Sequence, residues 1–364
     1  MNHDETIKHD SAPPLVNVYG SHLQMGQQIG EACRELVRHS IHNARVLIEA
    51  TREHLQLDWD GACIQSRKYI PFIEERYPQY VDEMEGIAQG AGVDFVEVAV
   101  VNALEAVSMD ALHLTKCTSF AVNETRSANR HVLVAHNEDW LPEDEPDSYI
   151  IHATPDNEPP FLAMTYGALL PNIGLNALGI AQCCDSVYPA DTRIGTPRVV
   201  VSRAVLAART IDGAIRATKS PQRAAGYNHL IAHESGEMYN VEVSARHSAI
   251  LYAEDGAITH TNHYLDPKMQ EIEDEPDEMV STRIRYFRAD RLLRQSRLHT
   301  VLTMQAIQRD HTNYPDAICN HSIHEVDPMD REKTVCSLVM DLNARQMSVA
   351  WGNPCANNYY TFQL

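Results

Sequence analysis

The sequence predicts an α+β protein in which layers of helix cover antiparallel sheets. Three observations predict it. Helical spacing of apolar residues fills the first third of the chain and stops abruptly at Cys117. Short segments with period-two alternation follow, separated by polar turns. Blocks of strands then give way to blocks of helices, without the strict alternation of a parallel Rossmann-type sheet. At 364 residues and 44% hydrophobic content the chain can bury a sizeable core, and no internal repeat or low-complexity region divides it.

The elements follow in order. Met1 to Pro14 is polar and reads as a floppy start. Leu23 to Glu49 has helical spacing, with Gly20, Gly26 and Gly30 at its beginning. Tyr69 to Ala91 carries a second helical pattern closed by Gly90 and Gly92, and Val96 to Met109 continues in the same style. Thr118 to Asn123 and His131 to Ala135 read as strands of a hairpin that Cys117 opens, with His136 to Trp140 as a turn at the strand end. Tyr149 to Ala153, Phe161 to Thr165 and Gly174 to Gln182 are strand-like. Pro197 to Ala208 and Asp212 to Thr218 are helical, and His229 to His233, Met238 to Val243 and Ala249 to Tyr252 form a meander. Ala257 to Thr261 is strand-like, Thr282 to Gln295 is a basic amphipathic helix, and Val335 to Asp341 pairs with Gln346 to Trp351.

Charge and composition exclude several functions. A formal charge of −20 and the lack of a Lys/Arg stripe exclude nucleic acid as a partner, whereas the same charge could draw in a cationic amine. Two acidic segments, 143–147 and 271–278, read as exposed loops. No apolar run is long enough to span a membrane, the start has no apolar signal region, and the eight cysteines make no disulfide framework. The expected location is the cytoplasm, with reduced thiols. No cofactor is expected: Gly174 to Gly179 lacks a phosphate cradle, and His311, His321 and His324 show no zinc spacing, so these histidines read as structural or surface residues.

The chemistry centres on Lys116-Cys117-Thr118-Ser119-Phe120 and the nearby His136-Asn137-Glu138-Asp139-Trp140 run. A cysteine at a chain start carries its own base, an α-amine with a pKa near ~8, so it can attack an acyl group without a separate histidine. Alone, a cysteine opening an apolar strand is more often just a small buried hydrophobe, so the reading rests on what surrounds it.

Taken with Asp139, Asn262 and the Arg283/Arg285 pair, these segments resemble the acyl-coenzyme A:6-aminopenicillanic acid acyltransferase family of self-processing N-terminal-nucleophile (Ntn) hydrolases. The resemblance extends to Thr261-Asn262-His263, Asp310-His311, Ile318-Cys319 and Thr334-Val335-Cys336-Ser337. It implies a four-layer α-β-β-α sandwich with a helix-rich N-terminal segment. It also implies cleavage between Lys116 and Cys117 into fragments 1–116 and 117–364 that form one folded unit, although Lys116 is bulkier than the glycine relatives often carry. By resemblance Cys117 is the nucleophile, Asn262 donates its amide to the oxyanion, and Asp139 orients the nucleophile or its amine. Asn137 and Thr118 stand beside them. Arg283, Arg285 and Arg288 all qualify as the arginine near the thiol, and counting back from Leu292-Leu293 favours Arg285. Such a guanidinium would lower the thiol pKa and pair with Asp139.

Three functions fit: an amidase releasing a small amine through an acyl-Cys117 intermediate, an acyltransferase passing that acyl group to an amine, or an uncleaved protein with no activity. The expected partners are a small N-acyl amine or amide and the cleaved N-terminal fragment. A homo-oligomer is compatible with the sequence.

Overall fold

A computed structural model describes residues 6–107, 116–274, 280–321 and 332–364. The ends of two expected segments, Met109 and the acidic residues from 275 to 278, lie outside them, as does His324.

Fourteen strands make two sheets among the described residues. They are β1 (Leu15–Gly20), β2 (Lys116–Val122), β3 (Leu133–Trp140), β4 (Ser148–Pro155), β5 (Phe161–Tyr166), β6 (Ile173–Asn176) and β7 (Ile180–Ser186). The others are β8 (Tyr227–His233), β9 (Met238–Val243), β10 (Ser248–Tyr252), β11 (Ala257–His260), β12 (Lys333–Asp341), β13 (Gln346–Trp351) and β14 (Tyr359–Gln363). One sheet has the order β1-β4-β5-β6-β7-β8-β9-β10 and the other β11-β2-β3-β12-β13-β14. Every strand pairing is antiparallel except β1 with β4; local hairpins make pairs such as β2–β3 and β4–β5, whereas β2–β11 and β3–β12 join distant segments.

The sheets face each other through β2, β3, β7 and β8. Period-two alternation sends Phe120, Val122, Leu133 and Ala135 outward onto helices Val280–Gln295 and Val301–Gln308, where Ala289, Leu293 and Met304 meet them. On the far side, Ile180, Cys184, Ile231 and Val241 of the eight-stranded sheet pack against Val205 and Ala214 of helices Arg198–Leu206 and Ile211–Thr218. The layer order is helix, sheet, sheet, helix, the sandwich that the sequence implies.

The helix-rich N-terminal segment packs near the β4–β5 end of the larger sheet. The long helical pattern breaks at Cys33 into His22–Ala32 and Arg34–Ala50, and the next breaks at Tyr77 into Ile70–Arg76 and Pro78–Ala91. Pro78 supplies the second break, because proline starts a helix readily and cannot continue one.

Three expectations are corrected. The His136 to Trp140 run is strand, not turn, because both faces of β3 are buried and its polar side chains find partners on each. The segment 143–147 is a 3-10 helix rather than an exposed loop, with Asp144, Glu145 and Asp147 buried. Those acids are paired: Trp140 Nε1 and Asn43 Nδ2 donate to Asp144, His39 meets Asp147 at 2.8 Å, and Lys333 Nζ lies 2.5 Å from Glu145. Residues 6–14 are docked: the His9 ring stacks on Trp351 at 4.0 Å and its backbone N donates to Asn357 Oδ1 (2.7 Å). Among the described residues no helix is long and apolar enough to cross a membrane.

Candidate active site

Cys117 is the second residue of β2 and lies opposite Glu138 of β3. That register turns Cys117, Ser119, His136 and Glu138 into the space between the sheets, and turns Thr118, Asn137 and Asp139 toward the helices. Cys117 is 2% exposed and lines a cavity of about 40 Å³ with Glu138, Trp140, Tyr166, Arg198 and Tyr227.

The backbone around Cys117 is held by two expected residues. Its N–H donates to Asn262 Oδ1 at 2.7 Å. Arg285 donates Nη1 to the Cys117 carbonyl (2.5 Å) and to Thr118 Oγ1 (3.0 Å), and Nη2 to Asn262 Oδ1 (2.9 Å). Since Asn262 Oδ1 receives two donors, its orientation is fixed, and its amide nitrogen donates to Ser186 O at 3.0 Å. One amide hydrogen is thus committed, and a second remains. Helix Val280–Gln295 places Arg285 inward and buried, whereas Arg283, two residues earlier, is 42% exposed at its side chain and meets Glu273 at 3.4 Å. Arg288 pairs with Asp310.

Asp139 and Asn137 lie on the other face from the thiol. Thr334 Oγ1 donates to Asp139 Oδ1 (2.6 Å), and Asp139 Oδ2 has no hydrogen-bond partner among the described residues. Burial pushes the Asp139 carboxyl well above its usual range, with Arg285 acting against it. Asn137 donates to Gln308 O and Ile318 O and accepts from Ser337, which makes it a strut between β3 and the helix layer. Lys116, cross-strand from Asp139, sits 3.3 Å from both Asp316 and Glu332. Burial disfavours its charge, but those two carboxylates outweigh that and hold it protonated.

The sequence suggests a thiol with a lowered pKa, and the structure corrects this. Burial raises the Cys117 pKa well above its ordinary value; Glu138, Asp185 and Asp139 add to the shift, while the Asp139 backbone N–H works against it. Arg285 spends its hydrogen bonds on the Cys117 carbonyl, Thr118, Asn262 and Ser281, which leaves the expected paired bond to Asp139 unmade.

The fold adds a polar chain that the motifs did not reveal. The Cys117 thiol donates to Glu138 Oε2 at 3.7 Å, and the same oxygen lies 2.8 Å from His136 Nε2. His136 Nδ1 lies 2.9 Å from Ser119 Oγ, which donates to Asp185 Oδ1 (2.6 Å). Asp185 meets His260 at 3.5 Å, and His260 Nε2 meets Glu242 Oε1 at 2.9 Å. Burial opposes the charge on His260, yet its hydrogen bonds to the Asp185 and Glu242 carboxylates raise its pKa to about 9. Glu138 was legible in principle, since reading His136 to Trp140 as a strand puts it on the face of the nucleophile.

A family model for acyl-coenzyme A:6-aminopenicillanic acid acyl-transferase matches residues 125–356. The chain is 23% identical over 345 residues to the 40 kDa form of acyl-coenzyme A:6-aminopenicillanic-acid-acyltransferase from Emericella nidulans, covering 93% of this chain and 92% of that protein. It is 24% identical over 269 residues to the β-alanyl-dopamine/carcinine hydrolase of Drosophila melanogaster, covering 67% and 68% respectively. Among solved structures, penicillin V acylase from Agrobacterium tumefaciens superposes with a TM-score of 0.47 at 15% identity, covering 68% of this chain and 86% of that one. With the family model spanning most of its length, the chain belongs to the acyl-coenzyme A:6-aminopenicillanic acid acyl-transferase family.

Proposed function

We propose that this enzyme is an amidase activated by self-cleavage between Lys116 and Cys117, and that it hydrolyses a small N-acyl amine or amide through an acyl-Cys117 intermediate. The observation that carries the reading is the seat of Cys117: thiol against Glu138, backbone N–H on Asn262 Oδ1, carbonyl on Arg285.

In the uncut chain no α-amine exists, so Glu138 takes the thiol proton. The sulfur attacks the Lys116 carbonyl carbon, the proton taken by Glu138 passes to the Cys117 nitrogen as its bond to that carbon breaks, and the nitrogen leaves as a neutral amine held by Asn262 Oδ1. Water hydrolyses the thioester, which frees the thiol and leaves a carboxylate on Lys116. The new amine then serves as base for the same thiol, as in other N-terminal nucleophiles. In turnover the thiol attacks the substrate carbonyl, the amine departs with the proton, and water releases the acid. The remaining Asn262 amide hydrogen is the donor we assign to the oxyanion, a role worth roughly 3 kcal/mol for one preorganised neutral donor. Asp139 is assigned to orienting the strand start around the nucleophile.

The cavity beside Cys117, about 40 Å³, has room for water next to the thiol, which hydrolysis of the Lys116 thioester needs.

Transfer to an amine is the second reading, favoured by the acyltransferase relative that covers 93% of the chain. Both readings share the acyl-enzyme. Intact mass and N-terminal sequencing test the cleavage, and a chain that stays whole on long incubation defeats it. Quenched-flow mass spectrometry with a small N-acyl amine should then trap a thioester on Cys117, with the amine released first. Faster passage of the acyl group to an added amine than to water makes the enzyme a transferase; turnover without any adduct rejects the covalent route.

A further inference from the structure

Away from the cavity, two loops bring four metal-ligating side chains together. His311, Cys319 and His321 come from the loop after helix Val301–Gln308, and Cys355 comes from the turn between β13 and β14. One ligand atom from each lies within 4.8 Å of all the others. His321 Nε2 is 3.1 Å from His311 Nε2, 3.4 Å from Cys319 Sγ and 3.5 Å from Cys355 Sγ.

Hydrogen bonding does not account for this convergence. A ring nitrogen has one proton or one lone pair in its plane, so it satisfies one neighbour, and here three crowd it. A tetrahedral ion does account for it. Zinc bonds of about 2.3 Å to sulfur and about 2.05 Å to nitrogen give tetrahedral edges of roughly 3.3 Å between nitrogens and roughly 3.5 Å between nitrogen and sulfur. The three distances match those edges to within a few tenths of an ångström. The surroundings also suit ligands: Thr6 Oγ1 lies 3.1 Å from His321 Nδ1, fixing the ring with Nε2 toward the cluster, and Asn353 Nδ2 donates to Cys319 Sγ at 3.6 Å. Asn353 Nδ2 also donates to Asn320 O (2.7 Å), so the two loops are already tied without the ion. Cys319 and His321 are buried while His311 and Cys355 are exposed, which leaves a way in.

We propose that His311, Cys319, His321 and Cys355 form a tetrahedral Zn²⁺ site that clamps the 309–321 loop to the β13–β14 turn. Two thiolates and two imidazoles are a set zinc favours, and four protein ligands leave no open position, so the ion is structural and takes no part in acyl chemistry. The site goes beyond the expectation that these histidines serve as structural or surface residues without a metal. It bears on the active site through its own loop, which carries Asp316 against Lys116 (3.3 Å) and the Ile318 carbonyl against Asn137 (2.7 Å).

The test uses the full chain purified in reductant without chelator, stripped, and titrated with Zn²⁺ or Co²⁺ alone. One equivalent should bind, and Co²⁺ should give the visible bands of a tetrahedral ion with a thiolate charge-transfer band. Because replacing groups that only hydrogen-bond to metal ligands already costs about 10- to 100-fold, loss of a ligand itself in Cys355→Ser or His311→Ala should weaken Zn²⁺ binding by about a hundredfold or more. Cys63→Ser, outside the cluster, should bind as wild type. Circular dichroism checks each variant, and since His311 is exposed, His311→Ala carries the test if Cys355→Ser misfolds. Absence of the cobalt bands, variants that bind like wild type, or a Cys319–Cys355 disulfide in protein made under reductant would each overturn the proposal.

Discussion

At the scale of single residues, opposite faces of two strands separate chemistry from support. Cys117 and Glu138 share the inter-sheet face, so Glu138→Gln should slow self-cleavage by roughly a hundredfold or more, as loss of a proton acceptor does. Cleavage at the wild-type rate, followed by gel densitometry, would remove Glu138 from that role. Cys117→Ala should stay whole, and Cys117→Ser should cleave slowly because a hydroxyl is the weaker nucleophile. Arg285→Ala should impair activity far more than Arg283→Ala, since Arg285 holds the Cys117 carbonyl and Arg283 lies half-exposed beside Glu273. Steady-state kinetics of the two variants decide the order. Asn262→Ala should cut kcat by roughly a hundredfold or more with a smaller change in KM, the mark of a donor used in the transition state.

At the scale of elements, helices His22–Ala32 and Pro78–Ala91 touch backbone to backbone. A Cβ at Gly86 would come within 2.3 Å of Leu23 O, and one at Gly26 within 2.1 Å of Glu83 O. Gly86→Ala should therefore destabilise the protein by about 2 kcal/mol or more, as overpacking does in a tight contact, whereas Gly213→Ala, whose Cβ meets nothing closer than 3.2 Å, should be tolerated. Chemical denaturation of both variants checks this. The sequence marked Gly26, Gly30 and Gly90 as punctuation, while their use as a helix contact appears only once the two helices lie side by side. β1, β14 and helix Val301–Gln308 escaped the sequence reading altogether. The first two are short edge strands, whose pairing depends on a distant partner more than on local pattern.

At the scale of the whole molecule, the N-terminal segment is bound to the rest by more than apolar contact. β1 extends the larger sheet beside β4, and a buried cluster spans the junction. Arg203 meets Glu83 at 3.1 Å and Glu158 at 3.0 Å; His22 meets Glu83 at 2.7 Å and Glu158 at 3.3 Å; and Tyr80 donates to Glu158. On this basis fragments 1–116 and 117–364 should stay associated after cleavage, with a definite pH dependence. Burial opposes the His22 charge, but Glu158 and Glu83 outweigh it and raise the pKa from 6.5 to about 9, so its contribution is full below 6.5 and lost as pH rises through 9. Burial likewise opposes the Glu158 charge, yet Arg203 and His22 depress its pKa from 4.5 to about 2, so its contribution is full above 4.5 and lost as pH falls through 2. The urea concentration that separates the fragments, read by size exclusion, should fall from pH 6.5 to 9.5 and again from pH 4.5 to 2. A flat profile would remove the cluster from the interface.

The sequence by itself determined the layered α+β class, the break in character at Cys117 and the residues Cys117, Asn262 and Arg285 that the fold gathers at one strand start. The class and the break were legible because alternation and helical spacing are local properties of the chain, while Asn262 and Arg285 were singled out through the family resemblance. The facing of Glu138 toward the thiol, the burial of the acids at 143–147, the raised thiol pKa and the joining of Cys355 to His311, Cys319 and His321 were decided only by tertiary structure. Each depends on desolvation or on contact between residues far apart in sequence, and neither quantity exists until the sheets close on each other.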